Sequence, residues 1–123
     1  MQIREFTPGE RERAEKFLLL DEDQLYSLIP PYLDEYQGTS FSPEGQREAG
    51  RTWFAAVRGR LEHKLCEEWQ MCKMLDDANF QDATNLVLVI GDAVTTVTTG
   101  VPPFLVSSII VRMGVRNFCG CSS

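Results

Sequence analysis

The sequence has no uninterrupted apolar run of the ~20 residues that a membrane-crossing helix needs. Its first twenty residues, Met1 to Leu20, are crowded with Arg and Glu and hold no apolar stretch of secretory-leader length, so a cytoplasmic protein is expected. Basic residues are in deficit: 12 Lys and Arg stand against 18 Asp and Glu, a net charge of −6. Such a balance repels phosphate backbones, and nucleic acid is not an expected partner. Catalytic signatures are missing too, with no G-x-S-x-G, no Gly-rich loop ending in Lys and Ser or Thr, and no dinucleotide fingerprint. The expectation is a protein that is not an enzyme and holds no cofactor. Repeats and low-complexity tracts are also lacking.

Apolar residues at 43% and charged residues at 24% describe an ordinary folding chain of 123 residues, with room for one core. Its best-organised stretch is Pro43 to Asp77, where Phe54, Val57, Leu61, Leu65, Trp69, Cys72 and Leu75 recur at steps of three or four. That spacing is one face of a helix. Ser42 provides an N-cap acceptor, Pro43 a preset φ at the first helical position, and Glu44 an acid in the first turn. A continuous helix of this length measures about 50 Å at ~1.5 Å per residue. This exceeds the diameter expected of so small a domain, so the helix protrudes or kinks, with Gly50 a candidate break.

Ahead of it, Thr7-Pro8-Gly9-Glu10 forms a capping box that opens a short helix to about Leu20, and Asp21 with Gln24 repeats the logic. Helical spacing then runs through Pro30-Pro31 from Leu25 to Tyr36, which predicts two short pieces with a kink, stopped at Gly38. Phe41 is placed to staple onto the central helix.

Beyond Asp77, Asn79 and Asp82 are positioned to open another element. Leu86 to Val111 then carries a single charge, Asp92. The β-branched residues flanking Gly91-Asp92 resemble a hairpin by propensity. Phe80, Ala83, Val87, Ile90, Val94 and Val97 nevertheless keep helical steps across the supposed turn, and a lone hairpin would have no sheet to join. Helix is therefore the expectation, with Asp92 at the surface or paired to Arg112 or Arg116. Pro102-Pro103 start a last helix whose apolar faces reach Phe118.

The expected fold class is all-α, a single-domain bundle of five or six helices. It comprises acidic N-terminal helices over 1–42, the long central helix over 43–77 and an apolar helical pair over 79–118. The alternative is α+β with a small hairpin at 86–98.

Four cysteines in a reducing compartment read as thiols rather than as a disulfide framework. His63 and Cys66 lie one turn apart and Cys119-Gly120-Cys121 offers a second pair, four ligands of a type that suits tetrahedral zinc. The spacing departs from finger and ribbon patterns, so no metal is expected and these four are minor candidates. No residue is assigned a catalytic role, because nothing identifiable orients the His63–Cys66 pair as base and nucleophile.

Charge is split along the chain. Residues 1–50 carry eleven acids and five bases, and residues 51–123 seven of each. Arg47, Arg51 and Arg58 lie on one side of the central helix, with the acidic first half as the obvious partner in the same fold or in another copy. The expected function is a non-enzymatic helical protein–protein interaction module of adaptor or effector type, self-associating as a homo-oligomer. Arg47, Arg51, Trp53, Arg58, Tyr36 and Phe41 are its candidate contacts. A membrane-active helical effector using the apolar stretch 86–111 is the first alternative, and a small zinc- or thiol-dependent protein the second.

Overall fold

The computed structural model describes residues 4–34, 42–98 and 100–121. Among these the chain is all-α with no strand, and the hairpin alternative is excluded. The capping signals act as the sequence implies. Thr7 Oγ1 accepts from the Glu10 amide at 3.1 Å while Glu10 accepts from the Thr7 amide at 2.9 Å, which opens α1 (Pro8–Leu18). Asp21 and Gln24 make the same reciprocal pair at the start of α2 (Glu22–Ser27). Pro30-Pro31 then forces a single 3-10 turn, Pro30–Tyr32.

The central helix α3 (Pro43–Glu62) starts where Ser42 accepts from the Gly45 amide and runs unbroken through Gly50. Gly50 is the crossing point with α2: a Cβ there would lie 1.9 Å from the Tyr26 carbonyl oxygen. The helices touch backbone to backbone, so the glycine serves packing rather than kinking.

The expected run to Asp77 fails further along. His63–Glu68 widens into a π-helical turn, closed by the Trp69 amide on Lys64 O at 3.0 Å, and Gln70 follows with a left-handed φ of 50°. A short α4 (Met71–Met74) follows. The break has a geometric use. Residues six apart on a straight helix point roughly 120° away from each other, so Cys66 and Cys72 could not both face one neighbour.

Asp82, rather than Asn79, caps α5 (Ala83–Val94), accepting from the Thr84 amide at 2.8 Å. Val87, Leu88, Val89, Ile90, Ala93 and Val94 are buried, and burial overrides the β preference of the segment. Gly91 lies on the face turned to α6 (Pro103–Met113), where a Cβ would sit 2.6 Å from the Phe104 ring. Ser107, fully buried between these helices, donates to Val87 O at 2.8 Å. The final helix is not continuous to Phe118. Gly114 adopts φ 92° and divides α6 from α7 (Val115–Cys119).

Leu61, Leu65, Met71, Ile90, Leu105, Ile109 and Ile110 are fully buried in one cluster that joins α3, α4, α5 and α6. Ala14 of α1 packs on Val87 and Leu88 beside it. No described helix is long and apolar enough to cross a membrane.

The four cysteines are not thiols. Cys66 is bonded to Cys119 and Cys72 to Cys121, crosslinking the end of the central helix and α4 to the C-terminal segment. The pairs span 53 and 49 residues. Closing a loop of that size stabilises the fold by about 4 kcal/mol in the chain-entropy account, and because these loops overlap the two contributions do not add.

Candidate functional site

Arg47, Arg51 and Arg58 of α3 are paired within the fold. Asp23 of α2 takes Arg51 at 2.5 Å and Arg47 at 3.7 Å, and Arg51 also lies over the Tyr26 ring, 5.5 Å from its centroid. Burial, followed by the Glu22 carboxylate, pushes the Tyr26 hydroxyl up to about 12. Arg58 pairs with Glu62 at 2.8 Å and covers Phe118 at 5.1 Å. Asp23 of the acidic first half meets Arg47 and Arg51 inside one chain, so α2 is latched to α3, while Arg58, paired on its own helix, covers Phe118 of α7. Trp53 is half-buried against the core. Tyr36 and Phe41 lie outside the described residues. The described members of the expected contact set therefore do not form a free patch.

The minor metal candidates are also dispersed. Cys66, Cys119 and Cys121 are in disulfides, and exposed His63 is bracketed by Glu67 at 2.5 Å and Glu68 at 3.4 Å. Among the described residues no three His, Cys, Asp or Glu side chains are placed to hold an ion.

A different surface is built where the start of the chain meets the α5–α6 connection. Arg4 lies between two carboxylates: Nε and Nη2 donate to Asp92 at 2.7 and 3.0 Å, and Nη1 and Nη2 donate to Glu10 at 3.1 and 2.7 Å. Asp92 is thus partnered by Arg4. The two arginines expected to meet it are engaged elsewhere, Arg112 on the Leu18 carbonyl and Arg116 on Asp76 at 2.9 Å. Arg4 holds the Glu10 carboxyl down to about 2, helped by the Thr7 amide, and Glu10 in turn raises Arg4 above its ordinary value. Glu10 is ionised near neutral pH and has no proton to donate.

Behind this clamp lies a cleft of about 450 Å³, walled by Phe17, Tyr32, Pro102, Pro103 and Phe104. Arg13 stands at its border, 5.6 Å from the Phe104 centroid. Three large apolar side chains are exposed among the described residues: Leu19 at 82%, Tyr32 at 48% and Leu28 at 37%. Leu19 is the C-cap of α1, two residues beyond Phe17. Sequence reasoning missed this cleft because its walls come from three separated segments, and Arg4 and Asp92 are 88 residues apart. The doubled proline before Phe104 was the one local signal. The lining can bind apolar and aromatic groups; its two carboxylates share the single guanidinium of Arg4.

No protein-family model, curated protein or solved structure matches the chain.

Proposed function

We propose that the chain is a non-enzymatic helical protein–protein interaction module that acts by pairing with a second copy of itself. The observation that carries this reading is that one chain presents both an exposed apolar knob and an apolar cleft. Leu19 is 82% exposed at the C-cap of α1, and the separate Phe17–Tyr32–Phe104 cleft, whose wall does not include Leu19, lies on the same chain. A chain that carries both suits an isologous two-fold contact, in which each Leu19 enters the other copy's cleft. Arg47 and Arg51, paired with Asp23, and Arg58, paired with Glu62, then contribute to the fold rather than to the contact.

Two copies each carrying a net charge of −6 repel, so added salt should strengthen an apolar contact of this kind. Sedimentation velocity at micromolar concentrations should show a monomer–dimer equilibrium that shifts toward dimer with salt. Burying a leucine side chain is worth about 1.5–3 kcal/mol, so Leu19→Asp should weaken the dimer about tenfold or more. A monomer at high micromolar concentration, with and without salt, overturns the proposal. We place the module in the cytoplasm, where disulfides are usually transient or redox-sensing.

A further inference from the structure

We infer that the C-terminal segment 114–121 is a redox-released cover, held on the π-turn and α4 by the Cys66–Cys119 and Cys72–Cys121 disulfides and freed when they are reduced. Both crosslinks anchor the same short piece of chain. All four cysteines are half-buried, which leaves the disulfides within reach of a reductant. The non-covalent hold is slight by comparison. Helix α7 has five residues, far fewer than an isolated helix needs in water. It contributes two buried side chains, Val115 and Phe118, the stacking of Arg58 on Phe118, and one ion pair, Arg116 to Asp76, whose carboxylate is 89% exposed. Gly114 at φ 92° provides a ready hinge at its start.

The opposite ends of the crosslinks are poised as well. Gln70, the single described non-glycine residue with positive φ, lies between Cys66 and Cys72, one residue beyond the π-turn. This sparsely populated conformation stands in the segment bracketed by the two crosslinked cysteines. Reduction relaxes this site and frees α7 together. What α7 covers is Phe54 of α3, whose ring meets Phe118 at 6.4 Å.

The chemistry balances with a dithiol reductant. One of its thiolates attacks a cysteine sulfur to form a mixed disulfide, and its second sulfur displaces the protein. Each turnover moves two electrons and two protons to the chain, leaving two cysteine thiols and an oxidised, cyclised reductant.

The experiment is hydrogen exchange of the full chain by mass spectrometry, before and after dithiothreitol, with alkylation mapping of the cysteines. Air-oxidised protein should yield the 66–119 and 72–121 peptides. Reduction should lower protection over 115–119 about tenfold or more while α5 and α6 change little, with bound anilinonaphthalene dye rising in parallel. Phe118→Ala with its disulfides intact should lose less protection over 115–119 than the reduced wild-type chain. Four free thiols or a different pairing in oxidised protein overturns the inference, as does unchanged protection after full reduction. Simultaneous loss of protection throughout the chain overturns it too, since the bonds would then staple the whole fold. A Phe118→Ala variant that opens as far as the reduced chain would show that packing is the hold.

Discussion

The two ends of the apolar second half are kept in place by different means. Helices α5 and α6 meet through Val87, Ile90, Val94, Leu105, Ile109 and Ile110, with Gly91 giving room for the Phe104 ring and Ser107 bonded across to Val87. Helix α7, one glycine further on, buries two side chains and relies on disulfides from its last residue and from Cys121. Order in the first region follows from the area removed from water, which no reductant alters. Order in the second follows from covalent connection, which a change of redox conditions removes. A chain can thus hold a permanent core and a conditional edge a few residues apart.

The largest test of that contrast is Ile109→Ala, which removes a fully buried side chain from the pair. It should lower unfolding free energy by about 3–4 kcal/mol in urea, by a similar amount in oxidised and reduced protein. A loss below ~1 kcal/mol would mean that the pair is not the main source of stability.

Two helical glycines sharpen the comparison at intermediate scale. Gly91→Ala gains propensity but must displace the Phe104 ring from 2.6 Å, and should cost about 1–2 kcal/mol net. Gly59→Ala on α3 meets nothing within 4 Å and should raise stability by about 0.5–1 kcal/mol. Thermal unfolding of both variants reads the sign directly, and equal signs would remove the close-packing account of Gly91.

The smallest effect concerns the rim. Glu10 has its carboxyl lowered from 4.5 to about 2 by Arg4, so the clamp contributes stability that is present above pH 4.5 and lost as pH falls toward 2. Melting temperature should decline slightly across that window, and Glu10→Gln should flatten the decline. An unchanged slope in the variant would show that Arg4 and Glu10 do not stay paired in solution.

Much of the helical layout was legible because its causes are local. Thr7, Asp21 and Ser42 cap the helices they precede, Pro30-Pro31 forces the kink, and the three- and four-residue steps across Gly91 outweigh its hairpin composition. The candidate cleft was not legible. Its apolar wall joins Phe17, Tyr32 and the Pro102–Phe104 corner, and its charged rim depends on Arg4 reaching the distant Asp92 as well as the nearby Glu10. The expectation of thiols failed for a related reason, since a compartment inferred from the first twenty residues says nothing about which sulfurs the fold brings together.

The sequence by itself determined the all-α class, the helix starts and the apolar faces, because capping and periodicity act within one or two turns of chain. Only the tertiary structure decided that the central helix widens at His63–Glu68 and gives way to a left-handed Gln70, that Gly50 and Gly91 are crossing points, and that Arg47, Arg51 and Arg58 of α3 are spent inside the fold. Those outcomes depend on which backbone, carboxylate or sulfur arrives from a distant segment, and that is set by how the helices pack against one another.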